Sequence, residues 1–206
     1  MIRTLLKGVG LALALLATVV LLRTLLHGPI EREPIDVVTI ELDEQAIASR
    51  LAESIRFQTI SHQNNDMLDE SAFEGFIRWV AETYPQVHSE LSLQRFGLTL
   101  LYKWEGTDKN LQPVLVTGHY DVVPVIPGTE SAWEVPPFEG IIRDGTVWGR
   151  GALDDKSGVI GILEAVTYLI DQGFRPNRTI YLSFGHDEEV GGRRGAGEVA
   201  AHLKGA

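Results

Sequence analysis

The stretch VLVTGHYD, residues 114–121, combines the pattern of a buried strand with side chains that bind metal ions. Val114 to Thr117 is a short run of β-forming, mostly apolar residues, which is typical of a strand inside a sheet. His119 and Asp121 follow two positions apart, so on an extended chain their side chains leave the same face. The stretch therefore predicts a strand whose carboxyl end presents an imidazole, which can ligate a metal, and a carboxylate, which can orient the ring.

The stretch TIYLSFGHDEE, residues 179–189, repeats this arrangement. Thr179 to Phe184 has the pattern of a buried strand, and Glu188 and Glu189 follow after three intervening residues. One glutamate could ligate a metal while its neighbour takes a proton from water. In α/β sheets the ligand site lies at the carboxyl ends of the strands, so both motifs fall where a site is expected.

The rest of the chain alternates helical periodicity with strand signals. Helices are expected over residues 43–57, 70–84, 156–172 and 194–203, with Pro85 ending the second of them. Strands are expected over residues 91–96 and 98–104, and a hairpin over 141–148 turns at Asp144-Gly145. This alternation predicts an α/β fold with a sheet covered by helices on both faces.

A third stretch, GRGALDDK at residues 149–156, places two aspartates before a predicted helix. Its glycines permit unusual backbone dihedrals, so a carboxylate can be aimed inward and can bridge two cations. The alternative is that Asp155 caps the helix that begins near Lys156. The two roles are compatible, with Asp154 on the metal and Asp155 as the cap.

Each motif also has a structural explanation when it is taken alone. A single histidine after a strand is more often structural than a ligand, and the carboxylates at 187–189 could form an acidic loop. Three adjacent carboxylates repel one another, however, and a divalent cation removes that repulsion. Taken together, the three motifs predict a two-metal hydrolytic site. Mixed nitrogen and oxygen ligands favour zinc, with cobalt or manganese as alternatives.

The composition limits the chemistry and the partners. The chain has no cysteine, so any metal must be held by histidine and carboxylate side chains. It carries 18 basic and 28 acidic residues, for a formal net charge of −10. An acidic protein is a poor partner for the phosphates of nucleic acid, and we expect no nucleic-acid binding.

The N-terminus has the pattern of a membrane segment. Residues 8–22 carry no charge, and Arg3, Lys7 and Arg23 flank them. Residues 1–27 therefore predict a single-pass signal anchor that leaves the globular part outside the cytoplasm, and a cleaved signal peptide with a secreted or periplasmic product is the alternative. Residues 28–41, which contain two prolines and mixed charges, are expected to form a linker.

Four motifs carry a resemblance to a known family. They are GHYDVVP at 118–124, WEVPPF at 133–138, GRGALDDK at 149–156 and GHDEE at 185–189. With these motifs the chain resembles the M20 family of dinuclear zinc peptidases and amidohydrolases. It looks closest to the branch of carboxypeptidase S and the N-fatty-acyl-amino-acid hydrolases. The resemblance covers residues 42–206 and implies a zinc-peptidase-type mixed sheet flanked by helices.

The resemblance also implies a role for each site residue. His119 would ligate one zinc, Asp154 would bridge two, and Glu189 would ligate the second. Glu188 would be the general base, and Asp121 would support His119. The loop at 133–138 would mark the branch rather than take part in catalysis.

The implied activity is hydrolysis of an amide bond next to a free carboxylate, in a short peptide or an N-acyl amino acid. The alternatives are a different dinuclear aminopeptidase or deacylase, and a membrane-tethered fragment without activity.

Family members have further ligands and an inserted, often dimerising domain beyond the glutamate pair. We therefore expect residues 1–206 to be an N-terminal part of the catalytic domain that is inactive or nearly so by itself, and a homodimer is expected only for a longer protein.

Overall fold

The computed structural model of the chain describes residues 2–28 and 39–204. These residues form two units, 1–42 and 43–206, which are described separately. Most of the predicted linker, residues 29–38, lies outside the described residues.

The first unit contains a single apolar helix, α1, over Ile2–Leu25. Its segment Leu6–Leu25 is long and apolar enough to cross a membrane, and none of it is buried in the protein. A signal sequence at an N-terminus has the same length and composition. The helix itself is thus confirmed, and its role as an anchor stays a prediction.

The second unit contains the remaining elements in an alternating order. The helices are α2 (Glu44–Ile55), α3 (Glu70–Thr83), α4 (Pro85–Glu90), α5 (Lys156–Asp171) and α6 (Ala196–Lys204). The strands are β1 (Ser92–Phe96), β2 (Thr99–Trp104), β3 (Val114–His119), β4 (Ile141–Arg143), β5 (Thr146–Trp148) and β6 (Ile180–Gly185). Short 3₁₀ turns lie at Asn65–Met67, Glu130–Ala132 and Glu188–Val190.

Four strands form a mixed sheet in the order β1-β2-β6-β3. Strand β2 is antiparallel to β1 and β6, whereas β3 runs parallel to β6. The parallel register pairs His119 with Gly185 at the carboxyl ends of the two strands. The topology therefore brings the first and third motifs to the same edge of the sheet, as the sequence predicts.

The helices α3, α4 and α5 pack on one face of this sheet and enclose the core. Phe73, Phe76 and Val80 of α3 are fully buried there, together with Val159 and Leu163 of α5. Phe76 stacks on Tyr120, the residue after His119, with ring centroids 4.5 Å apart and the ring planes 10° apart. The aromatic core thus lies directly against the chain segment that carries the first motif.

The second face of the sheet is less covered than the alternation predicts. Leu115 and Lys103 both pair with Tyr181 in the sheet register, so these three share a face, and Leu115 is 44% exposed. Helix α6 contacts β6 but leaves this part of the face open among the described residues.

Three other local predictions differ in detail from the structure. Pro85 ends one helix as predicted, but it also begins the short helix α4, because proline is well tolerated at the first position of a helix. Strand β3 runs two residues beyond Thr117 and includes His119. Helix α6 begins at Ala196 rather than at residue 194.

The predicted hairpin is confirmed, with β4 and β5 antiparallel. Asp144 and Gly145 at its turn both have positive φ, 53° and 73°, the requirement of a type I′ turn.

Replacing Phe76 by alanine tests how far the aromatic core supports this unit. The side chain is fully buried, so Phe76→Ala should lower the free energy of unfolding by about 3–5 kcal/mol. Phe174→Ala, at a residue 45% exposed, should cost about 1 kcal/mol. Urea denaturation followed by circular dichroism measures both, and equal losses would contradict the assignment of Phe76 to the core.

Candidate metal centre

The centre is built around His119, the last residue of β3, which is only 8% exposed. Its Nε2 lies 2.9 Å from Oδ1 of Asp154 and 3.7 Å from Oε2 of Glu188. Its Nδ1 lies 3.2 Å from the backbone carbonyl oxygen of Asp121 and 3.4 Å from Oδ1 of the same residue. Asp121 therefore holds the ring through Nδ1, and Nε2 faces the carboxylates of Asp154 and Glu188.

Asp121 is fully buried and connects the two motifs at the sheet edge. Its carboxylate accepts the hydroxyl hydrogen of Ser61 at 2.7 Å and the backbone N–H groups of Glu188 and Glu189, each at 3.1 Å. Burial alone would raise the pKa of Asp121, but hydrogen bonds from His119, Ser61 and the Glu189 N–H lower the pKa below its usual value. Asp121 thus stays ionised and fixes both the imidazole and the glutamate turn.

The two glutamates lie on the 3₁₀ turn Glu188–Val190 that follows β6. Ligand atoms of His119, Asp154 and Glu189 all lie within 4.8 Å of one another, so one ion could reach all three. Burial, and then the charge of Asp154, raise the pKa of Glu189. Glu188 is more open, with a side chain 60% exposed to solvent.

The backbone beyond the turn is folded tightly, as Gly191-Gly192 suggests. The carboxylate of Asp187 is almost fully buried, and one of its oxygens accepts the N–H of Arg194 at 2.8 Å. Its backbone carbonyl accepts the N–H of Gly192 at 2.7 Å. A Cβ at Gly195 would lie 2.5 Å from Oδ1 of Asp187, so only glycine fits there. Asp187 therefore shapes the turn, and sequence reasoning assigned it no separate role.

The two aspartates of the third motif point in different directions. Asp154 has an exposed side chain and reaches His119. Asp155 occupies the N-cap position of α5, but its side chain makes no capping hydrogen bond, so the predicted capping role is wrong. Its Oδ2 instead accepts the backbone N–H of His119 at 3.3 Å. This carboxylate is drawn to the strand because glycines at 118 and 158 leave it room.

Lys156 is a positioning residue that sequence reasoning did not single out. Its side chain is fully buried, and its ammonium donates to the backbone carbonyls of Ser54 and Phe57, both at 2.7 Å. These carbonyls lie at the C-terminal end of α2, where the helix dipole favours a positive charge. Burial lowers the pKa of Lys156 to about 7, against a smaller opposing effect of the Asp121 charge. The lysine ties the loop that carries Asp154 to α2.

The residues of this centre fit a divalent metal ion. One imidazole nitrogen and carboxylate oxygens are the donors that zinc accepts. Burial would lower the pKa of His119, but Asp121, followed by Glu188, raises it to about 9. The imidazole is thus surrounded by negative charge that a cation would neutralise. The structure brings together the three predicted ligands and places Glu188 and Asp121 beside them, while their individual roles stay predictions.

Comparison with known proteins places the chain in a family. The sequence profile of peptidase family M20/M25/M40 matches residues 115–206. The chain is 45% identical over 158 residues to probable carboxypeptidase S-like 2 of Dictyostelium discoideum, covering 75% of this chain and 30% of that protein. The chain belongs to the M20 family. It is also 35% identical over 209 residues to N-fatty-acyl-amino acid synthase/hydrolase PM20D1 of Xenopus tropicalis, covering 98% of this chain and 40% of that protein.

A solved structure shares the fold. Human carnosine dipeptidase 1 superposes with a TM-score of 0.57 at 23% sequence identity, over 72% of this chain and 33% of that one. The M20 chain thus has the predicted mixed sheet flanked by helices, and it spans 30% to 40% of the length of the two curated relatives above.

Removing the Lys156 ammonium should weaken both the fold and the metal site. In Lys156→Met the carbonyls of Ser54 and Phe57 lose the ammonium that donates to them, and the free energy of unfolding should fall by about 1–3 kcal/mol. Zinc affinity should fall about tenfold, because the loop that carries Asp154 loses its attachment to α2. Urea denaturation and isothermal titration calorimetry measure the two effects.

Lys103→Met is the matched control, since Lys103 is partly exposed and forms an ion pair with Glu105, two residues along the chain. An equal zinc affinity in both variants would refute the positioning role of Lys156.

Zinc binding should release a proton from His119. A metal needs the neutral imidazole, and without metal the pKa of His119 is about 9, so the ring is protonated at pH 7. Apparent zinc affinity should therefore rise about a hundredfold from pH 6 to pH 8, tenfold per unit, and level off near pH 9. Calorimetry in buffers of different ionisation enthalpy should show about one proton released per protein molecule when zinc binds at pH 7.5.

His119→Asn should abolish that release, whereas His202→Asn, at an exposed residue of α6, should leave it intact. Affinity that does not change with pH would contradict the assignment.

Proposed function

We propose that this M20 chain contributes to a dinuclear zinc hydrolase that cleaves an amide bond next to a free carboxylate. The observation that carries the proposal is the convergence of ligand atoms of His119, Asp154 and Glu189 within 4.8 Å, with Glu188 beside them. These residues come from three separate segments of the chain, and a core packing role does not require them to meet.

In this proposal His119, Asp154 and Glu189 would hold the zinc ions. When bound, the ions would polarise the substrate carbonyl and lower the pKa of a water molecule. Asp121 keeps the imidazole oriented, because it contacts Nδ1 and leaves Nε2 free to face the ions. Cobalt or manganese would satisfy the same donors.

Glu188 acts as the general base in this mechanism. Its carboxylate is 60% exposed, so both water and substrate can reach it, and its Oε2 lies 3.7 Å from Nε2 of His119. The backbone N–H of Glu188 is fixed by Asp121 at 3.1 Å, so the carboxylate is carried on a rigid turn. Glu188 would take a proton from water and pass it to the leaving amine.

The substrate class is proposed from the relatives. Their names describe one protein as carboxypeptidase S-like and another as a synthase/hydrolase of N-fatty-acyl amino acids. A carboxypeptidase substrate and an N-acyl amino acid both carry a free carboxylate next to the amide bond that is cut. Short peptides and N-acyl amino acids are therefore the proposed substrates.

We also propose that α1 anchors the protein in a membrane, with the hydrolase outside the cytoplasm. The basic residues Arg3 and Lys7 before the apolar segment favour a cytoplasmic N-terminus. Cleavage of α1 as a signal peptide would give a secreted product instead. A homodimer is the proposed assembly of a longer protein.

Glu188→Gln separates proton transfer from metal binding. The amide keeps the size of the side chain but cannot accept the proton, so kcat should fall by about 10²- to 10⁴-fold while two zinc ions stay bound. The variant is made in a longer, zinc-loaded protein that contains this chain. Turnover of N-acetyl amino acids, dipeptides and amino-acid amides, together with zinc content by mass spectrometry, measures both.

Glu198→Gln, at an exposed residue of α6, is the control and should retain wild-type kcat. Full turnover in Glu188→Gln would refute its role as base. Preference for amino-acid amides over the carboxylate substrates would favour an aminopeptidase instead.

A further inference from the structure

An apolar cavity lies beside the metal centre and takes no part in the chemistry described above. It has a volume of about 430 Å³ and lies between the loop around residue 133, strand β5 and the loop at 149–153. Its walls are mainly apolar, formed by Trp133, Val135, Val147, Trp148, Ala152 and Leu153.

The charges around this cavity favour an uncharged occupant. Glu134 is the one charged residue that lines it among the described residues, and Arg143 neutralises Glu134 at 3.0 Å. Arg143 also lies over the ring of Trp148, 4.8 Å from its centroid, and Arg150 lies over Trp133 at 5.1 Å. The guanidinium groups are thus engaged with the indoles, and the cavity wall offers no unpaired charge to a polar ligand.

The cavity lies one residue along the chain from the metal centre. Leu153 lines the cavity and directly precedes Asp154, whose Oδ1 lies 2.9 Å from Nε2 of His119. Leu153 is 88% exposed, so its apolar side chain is accessible to a ligand. A molecule in the cavity that contacts Leu153 would therefore lie one residue along the chain from Asp154, a proposed ligand of the metal.

We propose that this cavity binds the apolar acyl chain of an N-acyl amino acid whose amide bond lies at the metal centre. The inference rests on the proposed function and adds the location of the acyl subsite and the residues that set chain-length preference. Burial of each methylene in an apolar site strengthens binding about fourfold, which corresponds to about 0.8 kcal/mol. The cavity is open on one side, so we expect about a two- to fourfold gain per methylene until it is filled.

The test is a chain-length series on a longer, zinc-loaded protein that contains this chain. The kcat/KM for N-acetyl-, N-butanoyl-, N-hexanoyl- and N-decanoylglycine should increase along the series. Leu153→Gln should lower the ratio of the decanoyl to the acetyl value about tenfold, and Val147→Thr, which keeps the shape of the side chain, about threefold. Both substrates are measured on the same preparation of each variant. The ratio of their kcat/KM values therefore does not depend on the fraction of protein that is folded and metal-loaded.

Leu93→Gln is the matched control, because Leu93 is a partly exposed leucine on β1 that does not line the cavity. It should leave the ratio unchanged. A ratio near one in the wild-type protein, or the same ratio in Leu153→Gln as in the control, would overturn the proposal.

Binding without turnover provides a second measurement. Calorimetric titration of the metal-free protein with N-decanoylglycine should give a Kd at least fivefold weaker in Leu153→Gln than in Leu93→Gln. If this difference holds and no N-acylglycine is hydrolysed, the subsite stands and the proposed function fails. If N-acetylglycine is hydrolysed without any dependence on chain length, the proposed function stands and the subsite is refuted.

Discussion

The buried carboxylate of Asp121 is the constraint on which the metal centre depends. It lies next to Nδ1 of His119, accepts a hydrogen bond from Ser61, and accepts the backbone N–H groups of Glu188 and Glu189. A buried charge without such partners would be strongly destabilising, so these contacts keep the group ionised and in place. The same contacts set the distance between the imidazole on one strand and the glutamate turn on its neighbour.

The layer beneath the centre belongs to the core. Phe76 of α3 stacks on Tyr120, and Lys156 reaches the last carbonyls of α2. Both contacts join segments of the candidate metal centre to helices that are packed by the burial of apolar side chains. The geometry of the centre is therefore a consequence of core packing. The packed helices hold the candidate ligands in position before any ion binds.

Much of the local structure could be predicted from residue patterns. The Asp144-Gly145 turn, the helix that begins at Lys156 and the strands before His119 and Glu188 all appear in the structure, because turn residues and apolar periodicity act over a few positions. The ends of β3 and the start of α4 were less predictable, since they depend on pairing and packing. The residue pattern predicts helices on both faces of the sheet, whereas the second face is partly open around Leu115.

The sequence by itself determined the order of the elements, the donor types and their positions at strand ends, which are local properties of a chain without cysteine. Only the tertiary structure decided that Asp155 turns to the backbone of His119 instead of capping its helix, and that Lys156 reaches α2. These contacts join residues 36 and 102 positions apart. Such distant pairings depend on how the helices pack against the sheet, and no pattern of neighbouring residues specifies them.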